Sequence, residues 1–159
     1  MEKSKRKRLY VMIGISGSGK STYANTIENA VVISRDKIRF DFLQDGEDYF
    51  SHEKETFREY IKELRDALKD PSIQNIVADA THMTRSSRNK LFRHLKDLLE
   101  EVEVIGIVMN TSLDMCIARN DKRTGRQYVP VSTIVDMFKH FEMPQLNEPF
   151  NEIKIIKMR

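Results

Sequence analysis

Residues 14–22 read Gly14-Ile15-Ser16-Gly17-Ser18-Gly19-Lys20-Ser21-Thr22, and they decide the fold of this chain of 159 residues. They follow an apolar run at residues 9–13 and lead into a segment without a helix breaker. The pattern G-x-x-x-x-G-K-[ST] between a strand and a helix is typical of a loop whose backbone N–H groups surround a phosphate. The sequence therefore predicts a site for a nucleoside triphosphate such as ATP.

The polar residues of this loop have separate expected roles. We expect Lys20 to act in catalysis as a point charge across the β- and γ-phosphates, and the Ser21 hydroxyl to ligate Mg²⁺, which prefers hard oxygen ligands. The alternative is a plain Gly/Ser turn, which would not require the full pattern in this setting. The residues expected to surround the nucleotide phosphates are Gly14, Ser16, Gly17, Ser18, Gly19, Lys20, Ser21 and Thr22.

Composition excludes several classes of protein. The single Cys116 excludes a disulfide framework and a cysteine-rich metal site, and it shares an apolar helical stripe with Leu113 and Ile117, which predicts a packed core thiol. No apolar run approaches the ~20 residues that span a bilayer, and no signal-peptide pattern begins the chain. We therefore expect one soluble, cytoplasmic domain over residues 1–159.

The net charge of +3 is unevenly distributed. Residues 1–8 hold five Lys or Arg residues and one Glu, so the remaining chain is close to neutral. The body of the protein is therefore not a basic nucleic-acid binder as a whole. The basic leader at residues 1–8 could attract polyanions, but a solvated segment before the first strand is the simpler interpretation.

Strand and helix patterns alternate along the chain. Apolar and β-branched runs predict strands at residues 9–13, 31–33, 76–78, 102–109 and 153–156. Helical periodicity and capping residues predict six helices. They lie at residues 21 to about 29, from residue 36, at 57–68, 91–99 and 113–119, and from Pro130. The last has an apolar stripe of Ile134, Met137, Phe138 and Phe141. The alternation predicts an α/β fold with a parallel five-stranded sheet and helices on both faces.

Two carboxylates are expected at one edge of this sheet. Asp36 and Asp79 follow the second and third predicted strands, and such sheets bind ligands at the carboxyl ends of their strands. Asp79 suits the Mg²⁺ shell. Asp36 suits a general base, because Arg39 lies three residues later on the same side of a helix and can hold an acceptor phosphate beside it. The alternative is that Asp36 is only a helix cap and Arg39 a surface charge.

A second concentration of charge comprises Arg119, Lys122, Arg123 and Arg126. We expect residues from about 119 to 128 to form a mobile lid that closes over the triphosphate. Its cations would neutralise charge that develops on the transferred group, with Arg119 and Arg126 as nucleotide contacts.

The combination of motifs resembles the phosphate-loop polynucleotide 5′-hydroxyl kinases, typified by the kinase domain of the bacteriophage end-repair enzyme, and their relatives that phosphorylate RNA ends or aminoacyl-tRNA. The resemblance covers most of the chain. Its pieces are residues 14–22; Ser34-Arg35-Asp36-Lys37-Ile38-Arg39; Asp79-Ala80-Thr81-His82-Met83-Thr84 with Arg88; and residues 119–123, 129–130 and 141–153. It implies a P-loop NTPase fold of the nucleoside-monophosphate-kinase type with a small lid.

The resemblance also implies roles for individual residues. Asp36 looks like the general base on a 5′-hydroxyl, Arg39 like a clamp on the acceptor's phosphate, and Arg123 like a catalytic lid arginine that touches the donor phosphates. Basic residues are common in the family at the positions of Arg85 and Arg88. The set implied to bind the acceptor is Asp36, Arg39, Asp79, Arg85 and Arg88, and the implied metal ligands are Ser21 and Asp79.

The leading hypothesis is an ATP- and Mg²⁺-dependent kinase of a polynucleotide 5′-hydroxyl, on RNA or DNA, with a separate ligase or phosphatase as partner in the same pathway. The first alternative is a P-loop kinase of a small-molecule hydroxyl on a nucleoside, sugar or antibiotic. The second is a nucleotide-gated binding module that phosphorylates nothing.

Four aromatic side chains could stack on a base or simply pack: Tyr23, Tyr49, Phe50 and Tyr128.

Overall fold

The computed structural model describes residues 6–157, except for the side chain of Arg126. Two expectations therefore lie outside the described residues. They are the part of the basic leader that contains Lys3 and Lys5, and the nucleotide contact expected from Arg126.

The described residues contain one parallel sheet of five strands in the order β2-β3-β1-β4-β5. The strands are β1 Arg8–Ile13, β2 Ala30–Ser34, β3 Asn75–Asp79, β4 Glu103–Asn110 and β5 Glu152–Lys157. All four neighbouring pairs are parallel. The predicted α/β fold is confirmed.

Six α-helices connect the strands within residues 6–157. They are α1 Lys20–Ala24, α2 Arg35–Phe42, α3 Glu53–Lys69, α4 Arg85–Leu95, α5 Leu113–Asp121 and α6 Val131–His140. The hydroxyls of Ser34, Thr84 and Ser112 cap α2, α4 and α5 by accepting a backbone N–H three residues later. Within the same residues, no helix combines the length and the apolar character that crossing a membrane requires.

The central strand β1 is buried on both faces. Leu9 and Val11 are fully buried on one face, in a cluster that includes residues of α3 and α4. Met12 is fully buried on the other face, in a cluster with Ala24 of α1. A strand that is covered on both faces is apolar at consecutive positions, which explains the uninterrupted apolar run before the loop.

The strand register brings the predicted functional segments to one edge of the sheet. Ser34 pairs with Asp79 across β2 and β3. The backbone N–H of Gly14 donates a 2.9 Å hydrogen bond to the carbonyl oxygen of Thr81. The loop after β1 therefore lies beside the corners that follow β2 and β3, at the carboxyl ends of the strands, where such sheets bind ligands.

Several details differ from the sequence-based prediction. The helix expected at 91–99 is α4, Arg85–Leu95, followed by a 3-10 turn at Lys96–Leu98. Helix α1 ends at Ala24 rather than near residue 29, because the backbone N–H groups of Thr26 and Ile27 bond to the carbonyl oxygens three residues before them rather than four. The chain then enters β2 through Asn29, which has a left-handed φ of 53°. Helix α5 continues to Asp121, so residues 119–121 of the expected lid are helical. Phe138 of α6 is 48% exposed, whereas Ile134 is fully buried, so the buried stripe of α6 is narrower than expected.

Candidate active site

The loop after β1 requires glycine at two positions. Gly17 has a φ of 81°, and a Cβ atom there would lie 2.5 Å from the carbonyl oxygen of Cys116. Gly19 has a φ of 96° and is the N-cap residue of α1. A larger side chain would be strained at both positions. Cys116 itself is fully buried, which confirms the predicted core thiol and gives the loop a rigid support.

Lys20 begins α1, and its side chain lies along the loop. Its Nζ donates a 2.9 Å hydrogen bond to the carbonyl oxygen of Ile15. Burial lowers the pKa of Lys20, the carboxylates of Asp79 and Asp36 oppose that shift, and the guanidinium of Arg123 adds to it. Lys20 is therefore close enough to all three charged groups to interact with them electrostatically.

Ser21 and Asp79, the two expected metal ligands, contact each other. Ser21 Oγ donates a 2.8 Å hydrogen bond to Oδ2 of Asp79, and Asp79 is buried. Burial raises the pKa of Asp79, while Lys20 and the Ser21 hydrogen bond oppose the increase. A hydroxyl and a carboxylate at this spacing form the hard-oxygen pair that Mg²⁺ prefers, so the residues present fit a Mg²⁺ bound together with a triphosphate.

Asp36 is held through one of its two carboxylate oxygens. Oδ1 accepts hydrogen bonds from the guanidinium of Arg39 and, over 2.6 Å, from the hydroxyl of Tyr49. The Asp36 side chain is 55% exposed, and Oδ2 has no hydrogen-bond partner among residues 6–157. One oxygen is thus fixed by the protein, and the other can accept a proton from a bound group.

Arg39 forms hydrogen bonds to side chains within the protein. Its Nε and one terminal nitrogen donate to the two carboxylate oxygens of Glu53 over 2.8 and 2.9 Å, and its other terminal nitrogen donates to Asp36 and Tyr49. These bonds use four of the five N–H groups of a guanidinium. The arrangement makes Arg39 a positioning residue for Asp36, and its role as a clamp on an acceptor phosphate stays a prediction.

Glu53 and the hydroxyl of Tyr49 are site groups that the sequence did not reveal. Glu53 is 14 residues from Arg39, across a non-helical connection whose path no pattern predicts. Tyr49 was identified only as an aromatic surface for stacking, whereas its hydroxyl bonds to Asp36. Helical spacing indicates contacts three or four residues apart, such as Asp36 with Arg39, and gives no signal for contacts between segments.

A cavity of about 360 Å³ connects these groups. The sequence-predicted residues that line it are Ser16, Gly17, Gly19, Lys20, Ser21, Thr22, Asp36, Arg39, Tyr49, Phe50, Asp79, Arg119 and Arg123. Gly14 and Ser18 do not line it, and Ser18 is buried in the loop. The cavity thus brings together the phosphate loop, both carboxylates and two arginines of the expected lid.

Asn120 fixes the base of the segment that follows α5. Its side-chain amide donates to the carbonyl oxygen of Val129 over 2.6 Å and accepts the backbone N–H of Val129 over 2.9 Å. Asn120 is fully buried, so the two ends of the segment 121–128 are held together at one fixed point. Arg119 and Arg123 lie on either side of this point and reach the cavity. Movement of the segment as a lid stays a prediction.

The expectation that Arg88 contacts the acceptor is wrong. Arg88 is fully buried: its Nε donates to Glu148 over 2.7 Å, and a terminal nitrogen donates to the carbonyl oxygen of His82 over 2.8 Å. A ligand would have to unfold this part of the protein to reach it. The sequence holds a signal for this burial, because Arg88 precedes Leu91 and Leu95 at the spacing of an apolar helical stripe.

Arg85 lies away from the cavity and does not line it. Its guanidinium donates to the side-chain oxygen of Asn147 over 2.9 Å, and its backbone N–H donates to Glu142 over 2.8 Å. The structure therefore gives no support to the acceptor contact expected from Arg85.

His82 forms a buried link that the sequence did not assign. Its Nδ1 donates to the carbonyl oxygen of Met12 over 2.7 Å, and its Nε2 accepts from the hydroxyl of Tyr60 over 3.1 Å when the ring hydrogen is on Nδ1. Burial lowers the pKa of His82 to about 4, so the ring is neutral at neutral pH. The side chain ties the end of β1 to α3 and to the corner after β3.

The chain is similar to proteins that act on different acceptors. One relative is a protein of Autographa californica nuclear polyhedrosis virus whose name describes a bifunctional polynucleotide kinase/RNA ligase. The two are 28% identical over 149 residues, which cover 85% of this chain and 21% of that protein. The chain is 30% identical over 128 residues to the adenylyl-sulfate kinase of Vibrio cholerae serotype O1, with 76% and 57% covered. The chain thus spans about a fifth of the first relative and somewhat over half of the second.

The fold is shared with solved structures. A chain of the Pnkp1/Rnl/Hen1 RNA repair complex is 25% identical, with a TM-score of 0.68 over 84% of this chain and 43% of that chain. A fungal RNA kinase gives a TM-score of 0.68 at 15% identity over 96% of this chain and 38% of that chain. The family model described as the AAA domain matches residues 9–144, which include the phosphate loop and both carboxylates. The chain therefore belongs to the AAA-domain family, and its fold is that of the P-loop kinases.

Proposed function

We propose that this protein transfers the γ-phosphate of ATP to the 5′-hydroxyl of a polynucleotide end. The observation that carries the proposal is the position of Asp36, which lines the same cavity as Lys20 and the Ser21–Asp79 pair and has one unengaged carboxylate oxygen. A nucleotide switch needs the phosphate loop and a metal site. It has no use for a carboxylate that is held in place and open to a second ligand.

The residues of the cavity fit transfer through a loose transition state, which depends mainly on positioning and on charge. Oδ2 of Asp36 accepts the proton of the acceptor hydroxyl while the hydroxyl oxygen bonds to the γ-phosphorus. The bond from that phosphorus to the bridging oxygen of ADP breaks, and ADP keeps the electron pair. Arg39 and Tyr49 hold Oδ1 during this step. Mg²⁺ bound to Ser21 and Asp79 would neutralise phosphate charge.

Three cations of the cavity would stabilise the transferred group. Lys20, Arg119 and Arg123 line the same cavity as the loop and Asp36. Positive groups that are already in place cost no rearrangement when charge develops on phosphate oxygens. Arg123 lies within the segment anchored by Asn120, so closure of that segment would bring it onto the nucleotide, whereas Arg119 precedes the anchor on α5 and already lines the cavity.

Support for a polynucleotide acceptor comes from the relatives. The name of the viral relative combines a polynucleotide kinase with an RNA ligase, and a chain of an RNA repair complex shares the fold. We accordingly propose a ligase as a partner in the same pathway. The adenylyl-sulfate kinase similarity supports a second acceptor class, a small molecule with a free hydroxyl.

Labelling with ATP that carries a radioactive γ-phosphate tests the proposal. The acceptors are single-stranded and duplex RNA and DNA with 5′-hydroxyl ends, and in parallel a panel of nucleosides, sugars and adenylyl sulfate. We expect label on the 5′ end of an oligonucleotide. Label on a panel compound, with none on any oligonucleotide, would establish the small-molecule kinase instead.

Asp36→Asn separates both kinases from a nucleotide-gated binding module. In a kinase, loss of the carboxylate lowers kcat by orders of magnitude, while ATP binding persists because the phosphate loop is unchanged. In a binding module, the same variant keeps its function. Lys20→Ala does not separate the two, since both need the loop.

A further inference from the structure

A second groove opens beside the active-site cavity. It has a volume of about 460 Å³ and shares Arg35 and Glu53 with that cavity. Its walls come from the start of α2 and from facing sides of α3 and α4. The other residues that line it are Lys54, Phe57, Arg58, Ile61, Lys90 and His94. We call it the α3–α4 groove.

The α3–α4 groove is cationic. Its only described carboxylate belongs to Glu53, whose two oxygens bind Arg39 and one of which also lies 3.3 Å from a terminal nitrogen of Arg35. The side chains of Lys54, Arg58 and Lys90 are all exposed. The cations that line the groove are Arg35, Lys54, Arg58 and Lys90.

Two cations of α3 that line this groove lack an ion-pair partner in the described part of the chain. Lys54 and Arg58 have no salt bridge within residues 6–157. Elsewhere on the same helix, Lys62 and Arg65 are each paired with a carboxylate, at 3.1 and 2.7 Å, and Lys69 has no salt bridge among the described residues. Lys and Arg side chains without ion-pair partners create positive potential at the groove, and such potential attracts an anion.

Cationic side chains from two neighbouring helices lie against the ring of Phe57. Nζ of Lys90 lies 4.3 Å, and Cζ of Arg35 5.3 Å, from the centroid of its ring, and the ring of His94 packs edge-on at 5.3 Å. Cation–π contacts of this kind hold the charged groups in fixed positions. Nε of Arg35 is buried and has no hydrogen-bond partner among the described residues. The groove therefore presents ordered positive charge.

We propose that the α3–α4 groove binds the phosphodiester backbone of the acceptor strand, on the 3′ side of the nucleotide whose 5′-hydroxyl meets Asp36; this inference rests on the function proposed above. Arg35 precedes Asp36 in the chain and belongs to both spaces, so a strand that places its end at Asp36 passes Arg35 as it leaves the cavity. Phosphate contacts position a strand without reading its sequence. A small-molecule acceptor would end inside the cavity and leave the groove empty.

The test compares two double variants that each remove two positive charges from α3. Lys54→Gln/Arg58→Gln removes them from the groove, and Lys62→Gln/Lys69→Gln removes them from exposed positions outside it. Each protein is assayed with a nucleoside 3′-monophosphate and with a 5′-hydroxyl RNA of about ten nucleotides. Binding of the same RNA is measured by fluorescence anisotropy at several salt concentrations.

We expect the groove variant to raise the KM and the Kd for the RNA about 10-fold at low salt, with kcat unchanged. Its plot of log Kd against log salt should be shallower by about 1.4, since each phosphate of a single strand that is no longer neutralised lowers the slope by about 0.7. Its KM for the nucleoside 3′-monophosphate, and every constant of the control variant, should match the wild type.

Two kinds of result would overturn the inference. An unchanged KM and Kd for RNA in the groove variant would do so while leaving the proposed function intact, as would an equal loss in the control variant. A wild-type protein that phosphorylates a small molecule and neither labels nor binds RNA would overturn the proposed function and the groove together. The two failures are distinct, because only the second is visible in the wild type.

Discussion

Tyr49 donates its hydroxyl hydrogen to Oδ1 of Asp36 over 2.6 Å, from a segment 13 residues further along the chain. Burial and the neighbouring Asp36 carboxylate raise the pKa of Tyr49 well above its usual value, so the phenol stays a donor at neutral pH. Arg39 donates to the same hydroxyl. The carboxylate proposed as the general base is thus oriented by a neutral and a cationic donor together.

Tyr49→Phe removes one of these donors and keeps the ring. We expect kcat for 5′-hydroxyl RNA to fall by about 10- to 100-fold, because a hydrogen bond to a charged group contributes about 1.5–3 kcal/mol. KM for ATP should change little, since Tyr49 does not belong to the phosphate loop. Initial rates with labelled ATP measure both constants. Tyr10→Phe, on β1, is the matched control, and a kcat equal to that of the control would show that Tyr49 only packs.

Asp79→Asn tests the metal site. The amide keeps an oxygen that can accept from Ser21 but loses the negative charge that attracts Mg²⁺. We expect the Mg²⁺ concentration for half-maximal activity to rise about 10- to 100-fold, the range typical when a residue that supports a metal site is changed. A Mg²⁺ titration at saturating ATP measures this. Asp114→Asn, at an exposed position of α5, should leave the titration unchanged, and an unaltered Mg²⁺ requirement in Asp79→Asn would exclude Asp79 from the site.

The sequence predicted the parts of the site that follow from local rules. The loop and Ser21 follow from a spaced motif, and Asp36 and Asp79 follow from the rule that ligands bind where parallel strands end. Glu53 could not be predicted, because its contact with Arg39 depends on how the chain folds between α2 and α3. Such contacts are set by tertiary packing, for which a single sequence carries no periodic signal.

The mistaken interpretation of Arg88 has a physical explanation. Charged side chains are rarely buried unless they are paired, so an arginine on a predicted helix is normally taken to face solvent. Its partner Glu148 is 60 residues away in sequence, and no pattern joins the two positions. The resemblance to a kinase family identified a basic position without indicating whether the side chain faces the acceptor or the core.

Arg88→Ala should destabilise the protein strongly. It leaves Glu148 buried without its charged partner, a change that costs about 3–5 kcal/mol in other proteins. For a domain of this size, that corresponds to a fall in Tm of about 6–20 °C. Thermal unfolding followed by circular dichroism measures the shift.

Arg85→Ala should leave Tm within about 2 °C of the wild type, because the Arg85 side chain bonds to that of Asn147 at the surface. Equal stability of Arg88→Ala and wild type would mean that the pair does not support the fold.

Replacing Arg88 and Glu148 together separates pairing from packing. Arg88→Met/Glu148→Met removes both charges and keeps much of the buried volume, so it should recover most of the stability lost by Arg88→Ala. A double variant as unstable as the single one would show that the hydrogen bond from Arg88 to the carbonyl oxygen of His82 matters more than the ion pair.

His82 should make the protein less stable as the pH falls below about 6.5. In the folded state, burial lowers the pKa of His82 to about 4, and the cations Arg35, Lys20 and Arg88 add to that effect. The unfolded chain therefore binds a proton more readily, and the stability present at neutral pH is progressively lost on acidification. Between about pH 6.5 and pH 5 the loss from this residue is about 2 kcal/mol.

Urea unfolding at about pH 7, 6 and 5 measures this loss. His82→Asn keeps an amide donor for the carbonyl oxygen of Met12 and cannot titrate, so its free energy of unfolding should depend less on pH than that of the wild type by about 2 kcal/mol over this range. His140→Asn, at an exposed position of α6, is the matched control. Because Glu148 has a pKa below its usual value of 4.5, its own loss of stability lies at lower pH and does not overlap. A His82→Asn protein with the same pH dependence as the wild type would show that His82 is not held neutral in the folded state.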